Sequence, residues 1–206
     1  MILLIIIILY ILCIYIYNNP QNYTLYKRLQ IKELDFLNFD YLKQKFGDIK
    51  IIISNSDIDN VKHKKVTIKN FLNMHFKNKE WYFKAEDSQD FFEDIKLKKK
   101  ITDCFRKKFK SKMIIAERLS FWMGGTGTKT SYHTDLEDEC FLYVVKGKKR
   151  IQLIKPTYTK EMIPKNEYSP FALWSKFDFN KLDLKKIESF KHFCIEEIIL
   201  EEGDCI

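Results

Sequence analysis

The residues of this sequence best suited to chemistry are a histidine and an aspartate in the triplet His133-Thr134-Asp135. If the triplet lies on a β-strand, both side chains point to one face, because successive side chains alternate between the two faces. An imidazole nitrogen and a carboxylate oxygen on one face are two of the three protein ligands of a facial triad, which leaves open positions on Fe(II). A surface histidine beside the acidic run Glu137 to Glu139 is the alternative interpretation.

No other potential metal ligand has a spacing that extends this pair. None of the five cysteines forms a Cys-x-x-Cys pair, so neither a zinc site nor a disulfide framework is indicated, and we expect reduced, mostly buried thiols. The remaining histidines have no ligand spacing with His133 and are interpreted as structural or surface residues: His63, His75 and His192.

Short, mostly apolar segments around the triplet predict antiparallel strands. The predicted strands are 51–53, 66–68, 81–83, 113–115, 119–123, 131–135, 141–145, 150–154 and 196–200. Glycine-containing turns separate several of them: Gly124 to Gly127, Lys146 to Lys148 and Glu201 to Asp204. Close strands joined by such turns favour a sandwich or barrel. The aromatic residues Trp81, Tyr82, Trp122, Tyr143 and Trp174 are expected in the core.

Three blocks of this region, in order, resemble the signature of the cupin-like, JmjC-type Fe(II)/2-oxoglutarate oxygenases. The first block runs from Trp122 through a Gly/Thr turn to Asp135, the second is the strand–turn–strand segment 141–156, and the third, 198–206, ends in a Gly-Asp turn. The resemblance covers about residues 66–206, and in layout it is closest to an asparaginyl hydroxylase of this superfamily. It implies a mainly β fold: a double-stranded β-helix (cupin or jelly roll) with N-terminal helices.

The resemblance also implies roles for four residues. His133 and Asp135 match the first two iron ligands. Lys149 matches the lysine that binds the far carboxylate of 2-oxoglutarate, and Thr130 matches a hydroxyl that often helps to bind it. A lysine inside a barrel needs an anion, which a dicarboxylate supplies; the alternatives are a solvated turn lysine and a threonine present for its β-propensity. Cys140 stands where several relatives carry an asparagine close to the cosubstrate.

The implied function is hydroxylation of a protein side chain, with Fe(II) and 2-oxoglutarate as cofactors. In the family a distal histidine ligand follows the Gly-Asp turn, whereas this chain ends at Ile206. We therefore expect an incomplete domain with an exposed strand edge and poor Fe(II) binding, and whether the chain is an enzyme stays open. The alternatives are a membrane-tethered cupin-fold pseudoenzyme or binding module without a complete metal site, and a cupin that does not use 2-oxoglutarate.

An unbroken apolar run, Ile2 to Tyr17, opens the chain. As a helix it would span roughly 24 Å, slightly less than a bilayer core of about 30 Å. It predicts a retained transmembrane anchor over residues 1–19, followed by a linker region with short elements over 20–65 and the cupin-like domain over 66–206. A cleaved signal peptide and a buried core helix are the alternatives.

Charge predicts the orientation and constrains the partners. Lys27, Arg28 and Lys32 follow the apolar run and no charge precedes it, so the positive-inside rule predicts a single-pass membrane protein with its domain in the cytosol. Lys+Arg exceeds Asp+Glu by 36 to 28, a net charge of +8. Such a balance can indicate nucleic acid, but the basic runs 62–65, 96–100 and 106–112 are interpreted as solvated faces. Nucleic acid is therefore not expected as a partner, and the oligomeric state stays open.

Overall fold

The computed structural model describes residues 4–11, 25–55, 61–75, 81–85, 95–110, 116–135, 139–154, 164–169, 172–175 and 195–206. The strands are β1 Leu4–Ile11, β2 Lys50–Asn55, β3 His63–Thr67, β4 Trp81–Ala85, β5 Ala116–Gly124, β6 His133–Asp135, β7 Glu139–Lys146, β8 Lys148–Ile154, β9 Pro164–Ser169, β10 Ala172–Ser175 and β11 Ile195–Glu201. The helices are α1 Phe39–Phe46, α2 Ile68–Asn70 and α3 Ile95–Phe109, with a 3-10 turn at Lys32–Leu34 and a π-helical turn at Phe71–His75.

The strands form three antiparallel sheets. The largest has the order β3-β2-β4-β5-β1-β7, the second the order β6-β10-β9, and the third pairs β11 with β8. The predicted mainly β, antiparallel fold is thereby confirmed. The predicted strands 119–123, 141–145, 150–154 and 196–200 lie within β5, β7, β8 and β11, whereas 113–115 lies outside the described residues.

Alternation along β5 separates the two faces of the large sheet. Leu119, Phe121 and Met123 are buried in the main core, where Ile101 and Phe105 of α3 also lie. Because side chains two apart share a face, Ser120 and Trp122 point to the opposite side of the sheet. The helices therefore cover one face, and the other is available to the smaller sheets and the candidate site.

Residues of the predicted linker region contribute to the same core. Leu34, Leu42 and Phe46 are buried within it, as are Ile51 and Ile53 of β2. Helix α1 begins after Asn38, whose side-chain oxygen accepts a hydrogen bond from Tyr41 N at 3.0 Å, as preferred N-cap residues do. This region therefore packs as part of the domain in the structure, although the predicted domain boundaries themselves stay a prediction.

The predicted N-terminal transmembrane helix is wrong where the structure describes the chain. Leu4–Ile11 is a strand that lies between β5 and β7, with Ile7 opposite both Phe121 and Tyr143. A strand enclosed in a sheet can be apolar throughout, and isoleucine, being β-branched, favours a strand over a helix. Among the described residues no helix has the length and apolarity to cross a bilayer. Residues 12–19 lie outside the described residues, and membrane localisation stays a prediction.

The position of β1 can be tested by a cross-strand disulfide. Tyr10 lies opposite Cys140 of β7, whereas Leu9 lies opposite Phe141. Residues directly opposite on antiparallel strands have Cβ atoms about 4.5–5.5 Å apart, close to what a disulfide requires. We expect Tyr10→Cys to form a disulfide with Cys140 on mild oxidation, detected by peptide mapping in a Cys13→Ser background. The control Leu9→Cys should not form it; equal yields from both would contradict this register.

Candidate functional site

Strand β6 holds the histidine and aspartate of the predicted metal site. It pairs with β10, where Trp174 lies opposite His133 and Ala172 lies opposite Asp135. The strand conformation expected from the sequence is present at His133 and Asp135, which stand two positions apart in β6. His133 is half-buried rather than fully exposed.

A backbone hydrogen bond orients the imidazole of His133. Its Nδ1 lies 2.7 Å from the carbonyl oxygen of Ser131. A carbonyl oxygen can only accept, so Nδ1 donates its proton, and in the neutral ring the lone pair is on Nε2. Metal-binding histidines are commonly oriented in this way by a carbonyl or a carboxylate. The ring therefore has the tautomer that a ligand through Nε2 requires.

Beyond His133 and Asp135, the sequence predicts no metal ligand in this chain. In the described parts of the chain, no group of three or more His, Cys, Asp or Glu residues is placed to hold a metal ion. His63 lies on β3, where its Nδ1 is 2.9 Å from the Ser54 hydroxyl, and His192 lies outside the described residues. The described chain thus offers His133 and Asp135 as the candidate ligands.

Lys149 differs from its neighbours on β8. Lys148 pairs with Glu201, and Arg150 lies 3.7 Å from Glu197, both on the exposed face. Lys149 points to the other face, opposite the fully buried Leu200. The solvated-turn alternative therefore describes Lys148 better than Lys149.

The ammonium of Lys149 is desolvated without an acidic partner among the described residues. Burial lowers the pKa of Lys149 to about 8. Its Nζ lies 4.9 Å from the centroid of the Trp122 ring, a contact that offsets part of the desolvation. Lys149 is half-buried, and a partly desolvated cation without an anion is unfavourable, so this face is chemically suited to receive an anionic ligand.

Two buried polar groups on β5, one of them on the ring that Lys149 contacts, were not assigned a polar role from the sequence. The hydroxyl of Ser120 and the indole Nε1 of Trp122 have no hydrogen-bond partner in the described structure. Leaving such a group unsatisfied costs about 1–3 kcal/mol. Trp122 is 7% exposed, as expected for a core aromatic, but its unpaired donor points to a ligand-facing role. The sequence feature that could have identified Ser120 is its position as a single serine within an apolar stretch of the strand.

The loop between β5 and β6 folds tightly over the end of β5. A Cβ at Gly124 would lie 2.4 Å from the Thr128 hydroxyl, which itself donates to the carbonyl of Gly125 at 2.9 Å. Glycine is therefore required at position 124. Thr130 is half-buried in this loop, and the described structure shows no contact between it and Lys149. Its role in carboxylate binding stays a prediction, and so does the effect of the half-buried Cys140.

The Gly-Asp turn after β11 attaches the start of the described domain to this region. Asp204 accepts hydrogen bonds from Lys27 Nζ at 2.7 Å, Arg28 N at 2.8 Å and Glu201 N at 2.9 Å. Tyr26 and the residue after the aspartate, Cys205, exchange backbone hydrogen bonds of 2.8 and 3.0 Å. Burial raises the pKa of the Cys205 thiol to about 12, so this thiol is structural rather than reactive.

Comparison with models of known protein families identifies the family of the chain. The model of a family described as a cupin-like domain matches residues 20–206. This match begins well before residue 66, where the sequence resemblance begins, and it includes the segment that packs into the core. A search of curated proteins found no match to the chain.

Proposed function

Because the chain belongs to the cupin-like family, we propose that it acts as an Fe(II)- and 2-oxoglutarate-dependent oxygenase that hydroxylates a protein side chain. The observation that carries this proposal is Lys149, whose desolvated ammonium faces Trp122 and has no carboxylate partner among the described residues. The far carboxylate of 2-oxoglutarate would supply the missing charge. A cupin that did not use this cosubstrate would leave the cation uncompensated.

The residues present fit the two groups that the proposal requires. His133, with Nε2 as its acceptor atom, and Asp135, two positions along the same strand, would hold the metal. Lys149 would hold the far carboxylate of the cosubstrate, and Thr130 is the proposed second contact. When bound, iron and 2-oxoglutarate supply the oxidising chemistry that protein side chains lack.

The chain's own residues prepare the site before any ligand binds. The carbonyl of Ser131 fixes the ring of His133, which reduces the reorganisation that metal binding requires. The apolar side chains of Ile198 and Leu200 line the inner face beside Lys149 and are buried. They exclude water and so strengthen the attraction between Lys149 and an anion.

Metal binding tests the proposal through His133. We expect weak anaerobic binding of Fe(II), measured by calorimetry, that 2-oxoglutarate strengthens because a bidentate cosubstrate adds ligands. His133→Ala should lower the metal affinity by at least about tenfold. The control His63→Ala changes an exposed histidine on β3 and should have no effect. An affinity that His133→Ala leaves unchanged would favour the alternative, a cupin-fold binding module without a metal site.

A further inference from the structure

One row of residues crosses the large sheet from its edge to the candidate site. Lys65 lies opposite Ile52, and Lys84 lies opposite Trp122. Since Phe83 pairs with Ile53, the next residues along, Lys84 and Ile52, are neighbours on the other face. All four side chains of the row therefore lie on the face opposite to the helix-covered core.

The row is exposed to solvent at its β3 end and buried at its Trp122 end. Lys65 is exposed, Ile52 is 57% exposed, Lys84 is half-buried and Trp122 is 7% exposed. Exposure thus falls steadily from the β3 edge towards the site. Near the buried end, Lys84 Nζ lies 5.1 Å from the centroid of the Trp122 ring, the same ring that Lys149 contacts.

The charged residues within the described strands of this surface have one sign. Strands β2, β3 and β4 contain no aspartate or glutamate. We define the open face as Lys50, Ile52, His63, Lys65 and Lys84, which alternation places on the side away from the core. It combines lysines with an exposed isoleucine at its centre, and Lys84 of this face contacts the Trp122 ring.

We propose that the open face binds an acidic peptide segment of a protein substrate, which it directs towards the candidate site. Acidic side chains of the peptide would pair with the exposed Lys50 and Lys65, and an apolar side chain would bury Ile52. This inference rests on the proposed function, because it names the substrate class of the same site. The exposed isoleucine favours a peptide over a nucleic acid, since apolar burial contributes about 25 cal/mol per Å² and a phosphate backbone would gain from the lysines alone.

Charge reversal at two neighbouring lysines of β3 distinguishes binding of the peptide at the open face from attraction by the net charge of the protein. Lys65 and Lys64 are adjacent, but Lys64 lies on the other face, 4.7 Å from the Trp81 ring centroid. We expect Lys65→Glu to weaken binding of a labelled glutamate-rich peptide with a central leucine by about tenfold. Lys64→Glu, with the same change in net charge, should weaken it by less than about twofold. Ile52→Ser should weaken it by about threefold.

Fluorescence anisotropy at low salt measures these affinities, and circular dichroism checks that each variant is folded. If Lys64→Glu weakens binding as much as Lys65→Glu, the attraction is diffuse and the proposal is overturned. Preferential binding of a single-stranded oligonucleotide, with the same dependence on Lys65, would also overturn it. Peptide binding by a parent chain that does not bind 2-oxoglutarate would support the open face while refuting the proposed function. Cosubstrate binding without peptide binding would refute the docking surface alone.

Discussion

Lys149→Ala is expected to weaken 2-oxoglutarate binding by about 2–5 kcal/mol, the range for removing one partner of a buried charge pair. The ammonium is partly desolvated on the inner face of β8, so water screens its interaction with a carboxylate less than it would at the exposed Lys148. Metal binding at His133 should change much less. Calorimetric titration with 2-oxoglutarate measures the effect, and Lys148→Ala, on the exposed face beside Glu201, is the matched control.

The pH dependence of binding provides a second measurement on the same lysine. Because burial lowers the pKa of Lys149 to about 8 in the ligand-free chain, the ammonium loses its proton above this pH. A carboxylate prefers the protonated form, so the affinity for 2-oxoglutarate should fall by about tenfold per pH unit above pH 8. Lys149→Ala should lack this dependence. Equal affinities in Lys149→Ala, Lys148→Ala and the parent chain would show that Lys149 does not bind the cosubstrate.

A third variant distinguishes lost binding from lost folding. Lys149→Met keeps the aliphatic stem but removes the charge, so it should bind 2-oxoglutarate as poorly as the alanine variant. Because the folded-state pKa lies below the ordinary value of 10.5, protonation favours the unfolded chain. This destabilisation is complete below pH 8 and disappears as the pH rises above 10.5. The ligand-free methionine variant should therefore be at least as stable as the parent at neutral pH.

Local patterns were sufficient to predict the strands near the candidate site. Apolar runs bounded by glycine turns gave segments that lie inside β5, β7 and β8, because propensity, burial and turn chemistry agree there. The spacing of His133 and Asp135 was informative for the same reason, since two residues on one strand share a face whatever the tertiary structure. These features depend on residues close together in the chain.

The N-terminal run could not be assigned in this way. An unbroken apolar run rich in isoleucine suits both a membrane helix and a strand enclosed in a sheet, and periodicity does not separate them. The structure decides through pairing with distant residues: Leu9 lies opposite Leu119 on one side and Phe141 on the other. The information that selects the strand is therefore held in β5 and β7 and not in the run itself.

The polar environment of the candidate site also depends on residues far apart in the sequence, so local patterns did not predict it. Lys148, Lys149 and Arg150 form one basic run in the sequence. The pairing of β8 with β11 determines which of these side chains are exposed and which faces the interior. That pairing places Glu201 beside Lys148 and Glu197 beside Arg150, while Lys149 lies on the inner face. The unpaired donors of Ser120 and Trp122 likewise follow from which face of β5 the helices cover, which composition does not reveal.

Asp204→Ala is expected to lower the free energy of unfolding by about 2–4 kcal/mol. The aspartate is 1% exposed, and alanine would remove the acceptor for the backbone amides of Arg28 and Glu201. The ion pair with Lys27 adds little, because the lysine side chain is 51% exposed. Loss of these hydrogen bonds would release the segment at Tyr26 from the Gly-Asp turn. The decrease in unfolding free energy should therefore exceed that for removing an exposed ion pair.

The sign of the pH dependence follows from the same contacts. Burial alone would raise the pKa of Asp204, but hydrogen bonds from Glu201, Lys27 and Arg28 together lower it below the ordinary value of 3.8. A carboxylate with a depressed folded-state pKa stabilises the fold above its unfolded pKa, and this stabilisation is lost as the pH falls through the folded value. The difference between parent and Asp204→Ala should be largest near neutral pH and should shrink below about pH 4.

Urea unfolding of both proteins across this pH range measures the effect, and Glu202→Ala is its matched control. Glu202 is the neighbour of Gly203 in the same turn and pairs with Lys146 at 2.9 Å, with both side chains about half exposed. Its removal should change the free energy of unfolding by no more than about 0.5 kcal/mol. If Asp204→Ala costs no more than Glu202→Ala, or if its cost is the same at acidic and neutral pH, the charged carboxylate is not what stabilises this turn.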